Sequence, residues 1–269
     1  MITLVTHHRP HLDDICGMWQ FVRFVPGFAD AEFDFISTDH RGNPKEDSAD
    51  RLHIGVGRGP FDEHKGDLND CATSLVFKHL VKTVSLTADL ERALEKIVAW
   101  VMLEDTGKLA TIDQRDFTVP IILKGEYDRS ERDSRKVVEL GFKILDALLP
   151  GQLNQVQLEN VWSERTEFNS RFGRAVALVS NLSGVDSFAY RQGIPLVIQI
   201  NSSNRYHGIR AEARSNIDLT SLYDRFKQLE PEVSWYLHHS KKMLLCGGDL
   251  SPETKPSSLL LEEIIELLK

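Results

Sequence analysis

The stretch Ile2-Thr3-Leu4-Val5-Thr6-His7-His8-Arg9-Pro10-His11-Leu12-Asp13-Asp14 decides how the chain begins to fold. Residues 2–6 are a short apolar run that predicts a buried strand, and the strand delivers His7 to its C-terminal end. A helix-like stretch over residues 13–24 follows, and Pro26-Gly27 ends it. The apolar run meets histidines and aspartates at once. It lacks the basic region and apolar stretch of about 7–15 residues of a secretory signal.

Working outward, residues 32–37 (EFDFIS) alternate polar and apolar as a second strand. Residues 39–50 are polar and predict a loop, and residues 51–56 are a third, short strand running into Gly57 and Gly59. Strand, helix, strand, strand and helix in this order favour an α/β sheet. The clearest helix covers residues 88–103, with Leu90, Leu94, Ile97, Val98 and Val101 on one face and Asp105 continuing it. A helix over 134–149 carries Val137, Leu140, Ile144 and Leu148 along one side and is expected to stop at Pro150-Gly151. The polar residues 151–172 predict a linker between a domain at 1–150 and another at 173–269. In the latter, residues 174–180 and 195–200 read as strands flanking a helix at 185–191. Residues 208–214 (GIRAEAR) alternate like a strand, residues 243–246 read as a last strand, and 219–226 and 259–268 read as helices.

Of the 269 residues, 41% are hydrophobic and 27% charged, a mix that can bury a core and excludes a disordered or collagen-like chain. Lys+Arg 32 against Asp+Glu 40 gives a net charge of −8. That argues against broad adhesion to long duplex nucleic acid or to anionic membrane, while leaving room for one basic pocket or for carboxylates that bind metal. Cys16, Cys71 and Cys246 cannot form a disulfide framework, so a reduced, cytoplasmic setting is expected. No apolar run reaches the roughly 18 residues of a membrane span. Phosphate-loop and dinucleotide-fold glycine motifs are absent.

Three constellations can carry chemistry. His7-x-x-Pro10-His11-x-Asp13-Asp14 follows the first strand, where open α/β sheets place ligands. Imidazole with carboxylate suits Mn²⁺, Fe²⁺ or Zn²⁺; equally, Asp13 or Asp14 can cap the next helix. Asp62 and His64 follow the glycine-rich turn and point the same way if extended, either toward an ion or as a charged surface turn. Asp105 is the third: carried inward it needs a partner, because a lone buried charge is costly; otherwise it faces water. A metal site assembled from all three is the stronger reading.

The spacing His-x-x-Pro-His-x-Asp after strand one, Asp-x-His after a glycine-rich turn and an Asp after a long helix resembles the DHH phosphoesterase superfamily. In motif style it is most similar to the branch of the melanocyte-proliferation-gene exonucleases. Residues 174–180, 208–218 and Cys246-Gly247-Gly248-Asp249 resemble the superfamily's DHH-associated C-terminal domain. The resemblance implies an N-terminal parallel-sheet domain, a smaller mixed-sheet C-terminal domain and a cleft between them. It implies metal ligation by His7, His11, Asp13, Asp62, Glu63 and Asp105, with Glu63 standing where the superfamily has its middle histidine. Gly55 stands where the family carries a bridging Asp; His53 and Asp39 are the candidates to compensate, neither a direct match, and Asp249 replaces a phosphate-facing histidine.

The activity so implied is hydrolysis of a phosphodiester by metal-activated water. One or two Mn²⁺ ions are expected, with Mg²⁺, Fe²⁺ or Zn²⁺ as alternatives. Catalytic roles fall on Asp62, His64 and Arg210; substrate contacts fall on Arg210, Arg214, Gly247, Gly248 and Lys65. Expected substrates are short single-stranded oligonucleotides or small nucleotides, and a homodimer is compatible with the reading. The rival is a metal-poor relative that binds a nucleotide or a partner without hydrolysis, favoured by Gly55 and Asp249.

Overall fold

Leu4 and Val5 are fully buried in β1 (Thr3–His7), which lies between β2 (Glu32–Ile36) and β3 (Arg51–His53) and is parallel to both. The computed structural model describes residues 1–38, 47–64, 69–109 and 117–269. The chain divides into two compact units, Met1–Val156 and Gln157–Lys269.

In the first unit, β1 runs into α1 (Leu12–Phe24), and every residue from Leu12 to Val22 is buried. A helix enclosed on all sides needs neighbours on all sides. They include α2 (Ala72–Thr83) and α3 (Ala88–Asp105). α2 is the element that sequence reading passed over, although Ala72, Val76 and Leu80 recur every four residues on its buried side. Along α3, Leu94, Ile97, Val98 and Val101 are buried as the spacing predicts, and Thr87 caps the helix by accepting from the Leu90 N–H. Asp105 departs from expectation: it is the last helical residue and is exposed. α4 (Val119–Arg129) and α5 (Ser134–Val161) follow.

Pro150 does not stop α5, which continues eleven residues beyond it to Val161. Proline removes one N–H from a helix and crowds the carbonyl four residues earlier. Here Asp146 and Pro150 are both exposed, so that carbonyl can turn to water. The polar stretch 151–172 is accordingly the end of α5, a 3-10 turn (Trp162–Glu164) and β4 (Thr166–Ser170), not an open linker.

The second unit is a mixed sheet in the order β4-β5-β6-β7-β9-β8. Its members are β5 (Gly173–Val179), β6 (Leu196–Asn201), β7 (Tyr206–Ala211), β8 (Tyr236–Leu237) and β9 (Met243–Cys246). β5 and β6 are parallel, with α6 (Val185–Arg191) between them in the chain; the other pairs are antiparallel. Alternation buries both faces. Ala175, Ala177, Leu196 and Ile198 pack with α7 (Thr220–Leu229) and α8 (Leu261–Leu268), while Val176, Leu178 and Val197 pack with Trp162 and α6.

The protein is thus α/β throughout, with a three-stranded parallel sheet and a six-stranded mixed sheet. Among the described residues no helix is long and apolar enough to cross a membrane, and the three cysteines are free and buried.

Candidate metal centre

The C-terminal end of β1 and the first turn of α1 bring His7, His11 and Asp14 together. One ligand atom from each lies within 4.8 Å of the others. His7 Nδ1 lies 2.8 Å from the His8 carbonyl and Nε2 lies 2.9 Å from Asp14 Oδ2. Both neighbours can accept a hydrogen bond, an arrangement that favours the doubly protonated ring. Burial opposes that charge, but the bond to Asp14 and its carboxylate, with Glu63 nearby, push the His7 pKa up to about 9. The same Asp14 oxygen accepts the His11 N–H at 2.8 Å, so this carboxylate also closes the first turn of α1.

Asp14 is there because position 55 is empty. Gly55 has φ +64°, and a Cβ built on it would stand 1.7 Å from Asp14 Oδ1. The carboxylate of α1 therefore fills the space that a strand side chain at 55 would enter. His53 does not compensate; its Nδ1 lies 2.8 Å from Asp47 Oδ1. Asp39 lies outside the described residues.

Asp13 faces the other way. Its two oxygens accept the Ala72 and Thr73 N–H groups at 3.0 and 2.8 Å, and the Thr73 hydroxyl donates to its carbonyl. It thus caps α2, a role for a carboxylate that needs no metal. Burial and the Asp14 charge push its pKa up. Even so, Asp13, Asp105 and the Cys71 thiol place one ligand atom each within 4.8 Å of one another, and Cys71 is a donor that the sequence reading passed over. Burial and the adjacent Asp13 keep that thiol protonated.

Asp62 is buried and works within its own loop. Oδ2 accepts the Arg58 N–H, and Oδ1 accepts from the His64 backbone and lies 2.8 Å from His64 Nδ1. Those donors lower its pKa against the cost of burial. His64 is half exposed; burial opposes its charge, while Asp62 and Glu63 raise its pKa. Glu63 Oε2 is buried and has no hydrogen-bond partner among the described residues. Burial pushes the Glu63 carboxyl up, as do Asp14 and Asp62, and burial and Asp14 act likewise on Asp105. Lys65 lies outside the described residues.

Asp14 is the electrostatic hub that sequence reading missed. His7, Asp13, Glu63, His64 and Asp105 all feel its charge. So many carboxyls with raised pKa values around one point, one of them holding an orphaned buried oxygen, are what a divalent cation would relieve. The donors fit such an ion: His7 Nε2 is directed inward by the anchoring of Nδ1, as ligating imidazoles are, and a mix of imidazole and carboxylate suits Mn²⁺, Fe²⁺ or Zn²⁺. A cavity of about 710 Å³ adjoins the cluster, lined by His7, His11 and Asp105 among others.

The residues expected to hold phosphate in the second unit are differently disposed. Arg210 donates to Asp186 Oδ2 and to the Tyr206 hydroxyl, both at 3.0 Å. Arg214 is off the strand: β7 ends at Ala211, and a turn closed by the Ser215 N–H to the Glu212 carbonyl carries the arginine to the surface. Gly247 and Gly248 line a 350 Å³ cavity with Arg210 and Asp249. Gly247 has φ +68°, and a Cβ there would meet the Arg205 carbonyl at 2.4 Å, so packing alone demands glycine.

No protein-family model matches the chain, and no curated protein matches it. Solved structures similar to it include RecJ from Thermus thermophilus in complex with Mg²⁺. Identity is 12%, the TM-score 0.35, and the alignment covers 99% of this chain and 48% of that one. Another is the DHH domain of a member of a family of ribosomal proteins, at 12% identity and TM-score 0.30, covering 99% and 85%. The chain spans about half the length of the RecJ chain.

Proposed function

We propose that the protein is a divalent-metal-dependent phosphoesterase, with Mn²⁺ as the metal and short single-stranded oligonucleotides or small nucleotides as substrates. The observation that carries this reading is the convergence of His7, His11 and Asp14, one ligand atom of each within 4.8 Å of the others. The motif resemblance of residues 7–13, 62–64 and 105 supports it.

His7, His11 and Asp14 would hold the ion; Asp13, Asp105 and Cys71 form a second group of donors, and Glu63 a third with Asp62 and His64. When bound, the ion supplies Lewis-acid polarisation of a phosphoryl oxygen and activation of water. Asp62 orients His64 and raises its pKa, which favours the form of the imidazole able to donate to a leaving oxygen. The acidic surface turns away long polyanions, while the neutralised pocket accepts a small one.

The test is Mn²⁺ calorimetry on the native chain and on Asp14→Ala and His7→Ala, paired with a phosphodiesterase assay on a chromogenic diester and on short RNA and DNA. Either substitution should weaken Mn²⁺ binding by more than about 100-fold. His7 must release its proton to ligate, so affinity should rise with pH and level off above about 9, by about tenfold per pH unit for one proton. Unchanged affinity in both variants, or no turnover by the metal-loaded native chain, overturns the proposal. The rival, a binder without hydrolysis, draws on the Arg210–Asp186 pair, which leaves that arginine neutralised; bound metal without turnover is its signature.

A further inference from the structure

The cavity beside the metal centre also has cations on its lining, in residues to which nothing above assigns a role. Arg9 and Lys124 border it, together with Tyr127. Arg9 has φ +59°, in the left-handed region that side-chain-bearing residues seldom adopt and that clusters at ligand clamps. Its conformation is over-determined. The Arg9 N–H donates to Ser134 Oγ at 3.0 Å, and the Tyr127 hydroxyl donates to the Pro10 carbonyl at 2.8 Å. The Arg9 guanidinium lies over the Tyr127 ring, 5.5 Å from its centroid.

Tyr127 also relates the arginine to the metal centre. Burial raises the phenol's pKa, the Asp14 carboxylate raises it further, and the Arg9 guanidinium lowers it. His7, His11 and Asp105 line the same cavity as Arg9, so the guanidinium and these metal-site candidates face common space. Among the described residues, neither Arg9 nor Lys124 has a side-chain hydrogen bond or ion pair, in contrast to Arg210. A guanidinium displayed on an aromatic face, unneutralised and beside a cavity, suits bidentate capture of a phosphate. About 710 Å³ falls within the range of small-ligand sites, about 300–1,000 Å³.

We propose that Arg9, assisted by Lys124, binds a second phosphate of the substrate, one that is not attacked, so that a phosphodiester bearing an additional terminal phosphate is preferred over one without it. Cleavage of that substrate rests on the phosphoesterase reading; recognition of the second phosphate does not.

The experiment compares three dinucleotides on the Mn²⁺-loaded full chain: one without a terminal phosphate, one with it at the 5′ end and one with it at the 3′ end. KM and kcat are read for the native chain, Arg9→Ala, Arg9→Lys and Lys124→Ala. One of the two phosphorylated ligands should show a KM about ten- to a hundredfold lower than the bare dinucleotide. Arg9→Ala should abolish that difference with Mn²⁺ affinity and kcat unchanged, Arg9→Lys should restore part of it, and Lys124→Ala should weaken it. The proposal is overturned if neither terminal phosphate lowers KM in the native chain, or if the preference survives in both alanine variants. Without turnover, dissociation constants of the same three ligands make the same comparison. A retained phosphate preference without cleavage would then count against the phosphoesterase reading alone.

Discussion

A carboxylate at position 14 and a side chain at position 55 exclude each other, because a Cβ on Gly55 falls 1.7 Å from Asp14 Oδ1. The positive φ of Gly55 is one that Asp tolerates better than most residues. The pair is therefore exchangeable. Gly55→Asp alone should destabilise the fold by about 1–3 kcal/mol through overpacking and impair Mn²⁺ binding, and Asp14→Ala alone should lose binding. The double variant Asp14→Ala/Gly55→Asp should recover Mn²⁺ affinity relative to either single change, read by calorimetry. Strictly additive losses would show that the carboxylate cannot be supplied from the strand. Sequence reading identified His7 and His11 because their spacing after an apolar run is local information. The residue pattern left Asp13 and Asp14 open and the family resemblance selected Asp13; which of two consecutive residues does what depends on neighbours at residues 72–73 and 55, which spacing does not show.

At the scale of elements, α1 and α2 are joined by Asp13 as well as by packing. α2 starts at Ala72 with its first N–H groups on the Asp13 carboxylate, 59 and 60 residues away in sequence. Removing that acceptor leaves buried donors unsatisfied, so Asp13→Ala should lower unfolding stability by about 2–4 kcal/mol in metal-free protein, measured as a shift in urea midpoint. Were Asp13 only a metal ligand, its removal without metal would relieve repulsion from Asp14 and leave stability unchanged or higher. α2 shows how an element escapes periodic reading: its apolar positions are right, but the acceptor for its first two N–H groups comes from another helix. α5 is the complementary case, in which proline reads as a stop, yet the exposed side of the helix at Pro150 lets the chain continue.

For the whole molecule, the two units have separate cores, and the proposed metal ligands all belong to the first. Scanning calorimetry should resolve two transitions, and Mn²⁺ at about 100 times its dissociation constant should stabilise one of them by about 2.7 kcal/mol. Asp14→Ala should abolish that shift and leave the other transition in place. An equal shift of both transitions would show that the units unfold as one.

By itself the sequence determined the α/β class, the alternating strands of the second unit, the apolar stripe of α3 and the placement of His7 at the end of a strand. Each of these follows from spacing within one element, where backbone geometry alone decides which side chains share a face. Tertiary structure alone decided that Asp14 enters the space at Gly55, that Asp13 caps α2, that Arg210 pairs with Asp186, and that Arg9 stands on Tyr127 beside the cavity. In each of these cases the partner comes from a different element, and a charge takes whichever partner the packing brings within about 3–6 Å.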